Sequence, residues 1–519
     1  MFKKRLLAAA ISILMLSLGW LGVSGLTLLV AIVPLLWISH TTEHSRKGWW
    51  SMFAWTLFVT FGWNAATIWW LIYATGAGFG GAAVVTTLVT TTGFMLYHAA
   101  IKRASRALSY TLLASAWIAL EYTYMLSDFS WPWLILGNGL SNDRWAVQWY
   151  EYTGIYGGSL WILISNILIF EAWRTRSRFT AICASLVVVV PLIVSTYIYH
   201  SYQEGEQMVE VSVIQPNIDC YDKFNGSIET QKRNIIDLIS NVPSTSQFIF
   251  IPETAIPEYY HEAQILSYQY IRELRDTLNS RLPNTMIVAG TNTVINYKAG
   301  EESWTARSNN SGGYYDIFNS ALALTAQHTH TPVHHKARLV VGVESTPNWV
   351  FDIFKIFVID LGGIVGQIGK GDTATIFNHN GINASPSICY EALYGQFMGE
   401  YALNGAQFFG IISNDGWWDD TPAHRHLYSM SALRAIEHRR SIARSANTGI
   451  SGFINPRGDS VESLGWDKRG VLTHQISLND AITVYARYGD YIASVARFIA
   501  AMAVLYLFAY CIKRRNYLD

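Results

Sequence analysis

The sequence predicts a membrane protein in which an eight-helix transmembrane bundle carries an inserted, layered α/β domain. Three observations predict it. Of 519 residues 51% are hydrophobic and only 14% charged, with 20 Trp and 29 Tyr, a profile that suits a lipid-embedded chain with a globular appendage. Residues 6–200 are almost continuous apolar runs, whereas 201–490 hold most of the Asp, Glu, Lys and Arg. One last apolar run occupies 491–512. The expected organisation is therefore a transmembrane domain of seven helices over 1–200, a globular domain over 201–490, and an eighth helix with a tail over 491–519. The formal net charge is zero, so no electrostatic argument points to nucleic acid or an acidic substrate.

Met1-Phe2-Lys3-Lys4-Arg5 followed by apolar residues resembles a signal peptide. No small-residue cleavage site closes it and a second apolar run follows at once, so an uncleaved anchor is expected. The candidate spans are 6–22, 24–39, 49–74, 79–101, 108–126, 157–173, 180–200 and 491–512, several near the ~20 residues a helix needs to cross the hydrocarbon core. The 34 apolar residues 6–39 could form one tilted helix or a hairpin broken near Gly22, and charge decides for the hairpin. With two helices there, Lys3, Lys4, Arg5, Arg46, Lys47, Lys102, Arg103, Arg106, Arg174, Arg176, Arg178, Lys513, Arg514 and Arg515 share one side, and the opposite short loops hold only Arg144. The positive-inside rule makes that side cytoplasmic and puts 201–490 across the membrane. Between spans, Trp131, Trp133, Trp145, Trp149, Tyr150, Tyr152 and Tyr156 crowd residues 127–156, as an interfacial belt or a lipid-handling surface. Glu121 is an acid near a membrane segment and so a candidate site residue, or a side chain that reaches the interface.

From 209 the periodicity changes to short β-rich runs: Val209 to Gln215, Gln247 to Ile251, Met286 to Gly290, Ile317 to Leu324, Arg338 to Val343, Ile356 to Ile359, Gln407 to Ser413 and Ile450 to Asn455. Candidate helices at 228–241, 261–280, 391–403 and 424–440 alternate with some of them, which reads as layered α/β. In such domains chemistry gathers where strand ends and loops converge on a rigid sheet.

Cys389, in Ser387-Ile388-Cys389-Tyr390-Glu391, ends a short apolar run and passes into a helix-like stretch. A thiol at a strand end facing a helix N-terminus sits in a field that favours thiolate, although a buried small hydrophobe is the plain alternative. Together with Glu253, after Phe250-Ile251-Pro252, and with Lys336, in His335-Lys336-Ala337, it completes a set of base, cation and thiol suited to acyl transfer. Cys183 and Cys511 lie in apolar spans, and Cys220 could instead pair with Cys389 as a disulfide. No CxxC or Cys/His ligand spacing appears, so neither metal nor cofactor is expected.

These motifs resemble the nitrilase superfamily, whose members use a Glu-Lys-Cys triad on an αββα sandwich. Seven spans, a nitrilase-like domain and an eighth span are similar to the membrane-embedded branch, the apolipoprotein N-acyltransferases of bacterial inner membranes. The resemblance is carried by Pro252-Glu253-Thr254-Ala255, His335-Lys336 with Leu339 and Glu344, Ile388-Cys389-Tyr390-Glu391 and Ser413-Asn414-Asp415-Gly416-Trp417. Arg434 to Glu437, Arg444 to Gly449 and Arg487-Tyr488-Gly489-Asp490 add to it. The family often has Pro-Phe-Gly-Glu where this chain has Val341-Gly342-Val343-Glu344, and a Trp where it has Phe224.

The resemblance implies transfer of a fatty acyl chain from a phospholipid to the N-terminal amine of a diacylglyceryl-cysteine lipoprotein, through a thioester on Cys389. Glu253 would be the base and Lys336 the oxyanion partner, with Glu344, Tyr390 and Glu391 as supporting residues. It also implies cytoplasmic termini and a periplasmic catalytic domain. A monomer is expected, with a phospholipid donor, a diacylated lipoprotein acceptor and membrane lipid as its partners. Two other readings use the same features: a membrane-tethered amidase of the nitrilase type hydrolysing small amides, and a transporter or receptor whose outer domain only binds ligand.

Overall fold

The computed structural model describes residues 1–43, 45–220, 223, 226–309, 312–345 and 367–516, apart from the side chains of 257, 511 and 513–516. Phe224 and the expected strand Ile356 to Ile359 lie outside the described residues. The chain divides into two compact units, 1–201 with 488–519, and 202–487.

The first unit is helical. The apolar stretch 6–39 breaks into a helix Phe2–Ser17 and a second helical segment from Gly25 to His40, with Gly22 between them at φ +78°. That second segment is itself interrupted at Ile32, before Pro34. The Asn166 side chain meets the interruption: its Oδ1 accepts from Ile32 N at 2.7 Å and Val33 N at 3.1 Å, and its Nδ2 donates to Leu28 O at 2.7 Å. Backbone groups released by a helix break are thereby satisfied inside an apolar bundle. Ser45, Thr75 and Ser105 cap the helices Arg46–Ile68, Gly76–Ala100 and Arg106–Met125 by accepting from the backbone N–H three residues on.

Among the described residues, four helices have both the length and the apolarity to cross a membrane: Gly76–Ala100, Tyr150–Thr175, Arg178–Ser201 and Tyr491–Tyr510. Arg46–Ile68 and Arg106–Met125 are long enough but less apolar.

The aromatic stretch 127–156 differs from expectation. Trp133, Tyr150 and Tyr156 are fully buried inside the unit, while Trp145 and Tyr152 are exposed. The chain forms short 3-10 turns at Pro132–Leu134 and Leu136–Leu140, and the Tyr150 hydroxyl donates to Gly137 O at 2.9 Å. The Glu121 carboxylate accepts from Leu136 N at 3.2 Å, Trp117 Nε1 at 2.9 Å and Ser159 Oγ at 3.2 Å. Glu121 is thus an internal staple and does not reach an interface.

The second unit is a four-layer sandwich. One sheet has strand order β13-β1-β2-β3-β5-β4, with β6 also on β5, and the other β12-β11-β10-β9-β8-β7. The strands are β1 Met208–Gln215, β2 Phe248–His261, β3 Met286–Tyr297, β4 Arg307–Ser308, β5 Tyr314–Leu324, β6 Val333–His335, β7 Phe377–His379, β8 Ile382–Ile388, β9 Phe408–Ser413, β10 Ile442–Ala446, β11 Ser451–Ile454, β12 Ser460–Leu464 and β13 Gly470–Ser477. Side chains alternate across each strand. Val209, Val211, Val213, Phe248, Phe250 and Val288 therefore point inward, against Ile388, Phe408, Ile412 and Phe453 of the other sheet. Ile249, Ile251 and Ile287 point outward, under the helices Ile228–Ser240 and Gln269–Arg281 through Ile235, Leu238, Leu274 and Leu278. The helices Gly395–Leu403 and Pro422–His438 pack on the second sheet, where Phe409 meets the His438 ring at 5.7 Å.

A strand buried on both faces reads as a continuous apolar run, which is why β1, β2, β3, β5 and β9 are legible in the sequence. Arg338 to Val343 is not a strand. Its β-branched residues enter a turn at Gly342, φ +82°, closed by an isolated bridge between Val341 and Ser345.

Candidate active site

Glu253, Lys336 and Cys389 stand at strand irregularities or ends of the two facing sheets. Glu253 lies in β2 just beyond Ile251, where the pairing with β3 skips from Ile251 to Ile256. The next residue, Thr254, takes φ +45°, a conformation costly for a β-branched residue. Gly290 of β3 makes the turn possible, because a Cβ there would come within 2.4 Å of Pro252 O and 2.6 Å of the Glu253 Cα. Lys336 directly succeeds β6, its N–H bonded to Asn319 O at 2.9 Å. Cys389 directly succeeds β8 and takes φ +49°, a sharp strand-to-turn elbow that lifts its side chain off the sheet.

All three side chains are nearly buried, at 6%, 1% and 9% exposure, so charges there interact with little solvent screening. The Lys336 ammonium donates to Glu253 Oε1 at 2.8 Å and to Glu344 Oε1 at 2.9 Å. Asn319 Nδ2 bridges the same two oxygens at 2.8 and 2.9 Å. The remaining carboxylate oxygens are held by backbone: Glu253 Oε2 accepts from Asn414 N at 3.1 Å, and Glu344 Oε2 from Val340 N at 2.9 Å. Burial alone would lower the Lys336 pKa, but Glu253 and Glu344 outweigh it and hold the ammonium above its usual value.

The thiol behaves differently from the sequence expectation. Burial is the largest influence on Cys389 and pushes its pKa up. The Glu253 charge adds to that, and Lys336 offsets only part of it. A 3-10 turn, Cys389–Leu393, separates the cysteine from the helix Gly395–Leu403, so the field of an α-helix N-terminus is not delivered to the sulfur. The sulfur lies within the electrostatic influence of Glu253, Lys336 and Asp415. Neither Cys220 nor Cys389 is in a disulfide, which removes the alternative pairing.

Of the supporting residues, Glu344 contacts Lys336 directly, whereas Glu391 acts elsewhere. Its Oε1 accepts from Ala337 N at 2.6 Å and its Oε2 from Ile388 N at 2.7 Å, tying the residue after Lys336 to the residue before Cys389. His334 Nε2 lies 3.1 Å from Oε2 and Tyr401 OH 3.4 Å from it. The Tyr390 ring packs edge-on against Tyr394 at 5.5 Å. Close enough to act on the Cys389 thiol, Asp415 receives two Arg444 guanidinium nitrogens at 2.9 Å and the Ser413 hydroxyl at 2.6 Å. Asn319 and His334 are site residues that sequence reasoning missed. The signal for Asn319 was faint, an amide side chain inside the otherwise apolar run of β5.

Family models match two regions of the chain. A model of the carbon-nitrogen hydrolase family matches residues 210–486, and a model of the apolipoprotein N-acyltransferase N-terminal domain matches residues 10–168. Apolipoprotein N-acyltransferase of Chlorobaculum tepidum is 28% identical over 92% of this chain and 90% of its own length. The Geobacter metallireducens protein of that name is 25% identical over 77% of this chain and 74% of its own. The Haemophilus ducreyi one is 23% identical over 90% and 89%.

Proposed function

Because this chain belongs to the carbon-nitrogen hydrolase family, in its apolipoprotein N-acyltransferase branch, we propose that its Glu253, Lys336 and Cys389 perform lipoprotein N-acylation through a thioester. The observation that carries the assignment of roles is the Lys336 ammonium bound between Glu253 and Glu344 in a pocket whose electrostatics couple to the Cys389 sulfur.

Glu253 accepts the Cys389 Sγ proton and the sulfur attacks the ester carbonyl of a phospholipid. The carbonyl oxygen becomes an oxyanion facing Lys336 and a backbone N–H at Tyr390. The carbon–oxygen bond then breaks, Glu253 returns the proton to the departing glycerol oxygen, and a lysophospholipid leaves. In the second half, the N-terminal amine of the diacylated lipoprotein attacks the thioester and Glu253 takes its proton. The carbon–sulfur bond breaks, the thiol is restored and an amide is released. The raised thiol pKa makes the base indispensable, since little thiolate exists before Glu253 acts.

Glu344 positions Lys336, Glu391 holds the Lys336 and Cys389 segments in register, and Tyr390 shapes the oxyanion pocket. The working unit is a monomer. The helical unit spans the bacterial inner membrane eight times, with both termini cytoplasmic and the catalytic domain periplasmic. The positive-inside charge pattern supports that topology. A membrane unit keeps the acyl chain out of water, a transfer that would cost about 0.8 kcal/mol per CH₂.

Mass spectrometry tests the reading. The full chain incubated with phosphatidylethanolamine should carry a fatty acyl mass on the peptide containing Cys389, lost when a diacylated lipopeptide is added. An unmodified Cys389 in an actively turning-over preparation refutes it.

A further inference from the structure

Lys223 is a fully buried lysine that the acyl-transfer steps do not use. Its ammonium donates to the Glu253 carbonyl oxygen at 2.9 Å and to Thr254 Oγ1 at 2.6 Å. The lysine's own backbone is anchored on both sides: its N–H reaches Asp219 O at 3.0 Å, and its carbonyl accepts from Gln231 Nε2 of the helix Ile228–Ser240 at 2.9 Å. A buried cation costs several kcal/mol unless it is held by good partners, so its presence at this point calls for a reason.

The reason lies in the backbone of β2. The ladder with β3 skips the stretch from Ile251 to Ile256, so the Glu253 carbonyl falls where the sheet's pairing is interrupted. A buried carbonyl needs a donor, and Lys223 supplies it. The same ammonium holds the hydroxyl of Thr254, the β-branched residue at φ +45° that turns the chain immediately after the base. We propose that Lys223 is a positioning residue of the reaction: it clips the Glu253 carbonyl and the Thr254 hydroxyl together and so fixes the strained turn from which the Glu253 carboxylate is aimed. The proposal rests on the reading of Glu253 as the base.

Removing the lysine would have two effects. Without the clip the turn relaxes, and the carboxylate loses its register on Lys336, Asn319 and Asn414 N. Without the charge, Glu253 has one cation beside it instead of two, with Lys336 left on its carboxylate side. The groups acting on Lys223 are Glu253 and the Cys220 thiol. Burial, its largest influence, lowers the pKa to about 8 against the pull of both.

The test uses the full chain in phosphatidylethanolamine nanodiscs and monitors the burst of lysophospholipid release, with thermal unfolding recorded for each variant. Misplacing a catalytic group by 1 Å costs about 10²-fold, so Lys223→Met should lower the burst rate by roughly that factor with KM little changed. The acid limb of its pH–rate profile should move to higher pH. Lys223→Arg, which keeps a cation, should restore the limb and part of the rate. Thr254→Val removes one accepting hydroxyl and should cost about tenfold, the worth of one hydrogen bond, with the limb unmoved. Thr254→Val decides the matter if Lys223→Met does not fold.

A folded Lys223→Met or Thr254→Val protein with the parental burst rate and profile, alongside an inactive Glu253→Gln, overturns the proposal and leaves the base assignment standing. A loss that Lys223→Arg does not relieve and that leaves the acid limb in place marks a merely structural lysine and also overturns it. An active Glu253→Gln protein refutes the base reading instead.

Discussion

Replacing Glu391 by Gln tests whether one carboxylate holds two halves of the site together. Each Glu391 oxygen takes a different backbone donor, Ala337 N at 2.6 Å and Ile388 N at 2.7 Å. A glutamine offers one acceptor and one NH₂, so whichever way the amide is turned, one of those buried N–H groups faces another donor. An unsatisfied buried donor costs about 1–3 kcal/mol, and loss of the charge-assisted part of the surviving bond adds about 1, giving roughly 2–4 kcal/mol in all. At about 2–4 °C per kcal/mol, the melting temperature should fall by roughly 4–16 °C. Cys389 alkylation and acyl transfer should fall together, because Ile388 adjoins Cys389 and Ala337 adjoins Lys336.

The pH dependence has a definite sign. Burial alone would raise the Glu391 pKa, but the His334 charge and the Ile388 and Ala337 N–H groups outweigh it, and the carboxyl titrates below its ordinary 4.5. A depressed folded-state pKa contributes stability that is complete above the unfolded value and is lost as pH falls through the folded one. The gap between parent and variant should therefore be full at pH 7 and begin to narrow only as pH falls below the ordinary carboxyl value, closing once the folded carboxyl itself protonates. A Glu391→Gln protein that melts and acylates like the parent at pH 7 refutes the reasoning.

Three more perturbations probe separate parts of the structure. Lys336→Met removes the cation between Glu253 and Glu344 and should cut lysophospholipid release by at least 10²–10³-fold, measured as a single-turnover burst. Asp415→Asn strips the counter-charge from Arg444, whose side chain is 1% exposed, and should destabilise the catalytic domain by about 3–5 kcal/mol in chemical denaturation. Gly410→Val should exceed the usual overpacking cost of about 1–3 kcal/mol, because a Cβ at 410 would stand 1.9 Å from the Phe250 ring of the facing sheet; yield of folded protein and melting temperature report it.

What the sequence disclosed and what it withheld divide along one physical line: local pattern is visible, and balance between distant groups is not. The strands buried on both faces announced themselves as apolar runs, and Glu253 and Cys389 were legible as candidate site residues beside such runs, one at a break within β2 and one just after β8. Strand β10 was hidden because its middle residue is Arg444, a charge that reads as surface until its bidentate pairing with Asp415, 29 residues earlier in the chain, is known. β12 was hidden for the opposite reason, as a mostly exposed edge strand with no apolar face to mark it. Lys223 gave no usable signal and Asn319 only a faint one, since each matters through distant partners, Glu253 lying 30 and 66 residues away from them. The aromatic stretch 127–156 could be read as an interfacial belt because composition cannot tell a ring at the lipid headgroups from a ring in a packed interior; the packing buries Trp133, Tyr150 and Tyr156 and leaves Trp145 and Tyr152 exposed. The thiol is the sharpest case. Both influences on Cys389, a cation that favours thiolate and burial that opposes it, were foreseeable from residue types, but which prevails depends on desolvation, a property of the folded pocket. Burial prevails, so under the proposed mechanism the thiol needs a base to ionise, and the carboxylate proposed for that role, Glu253, is held by Lys336, Asn319 and the Asn414 backbone all at once.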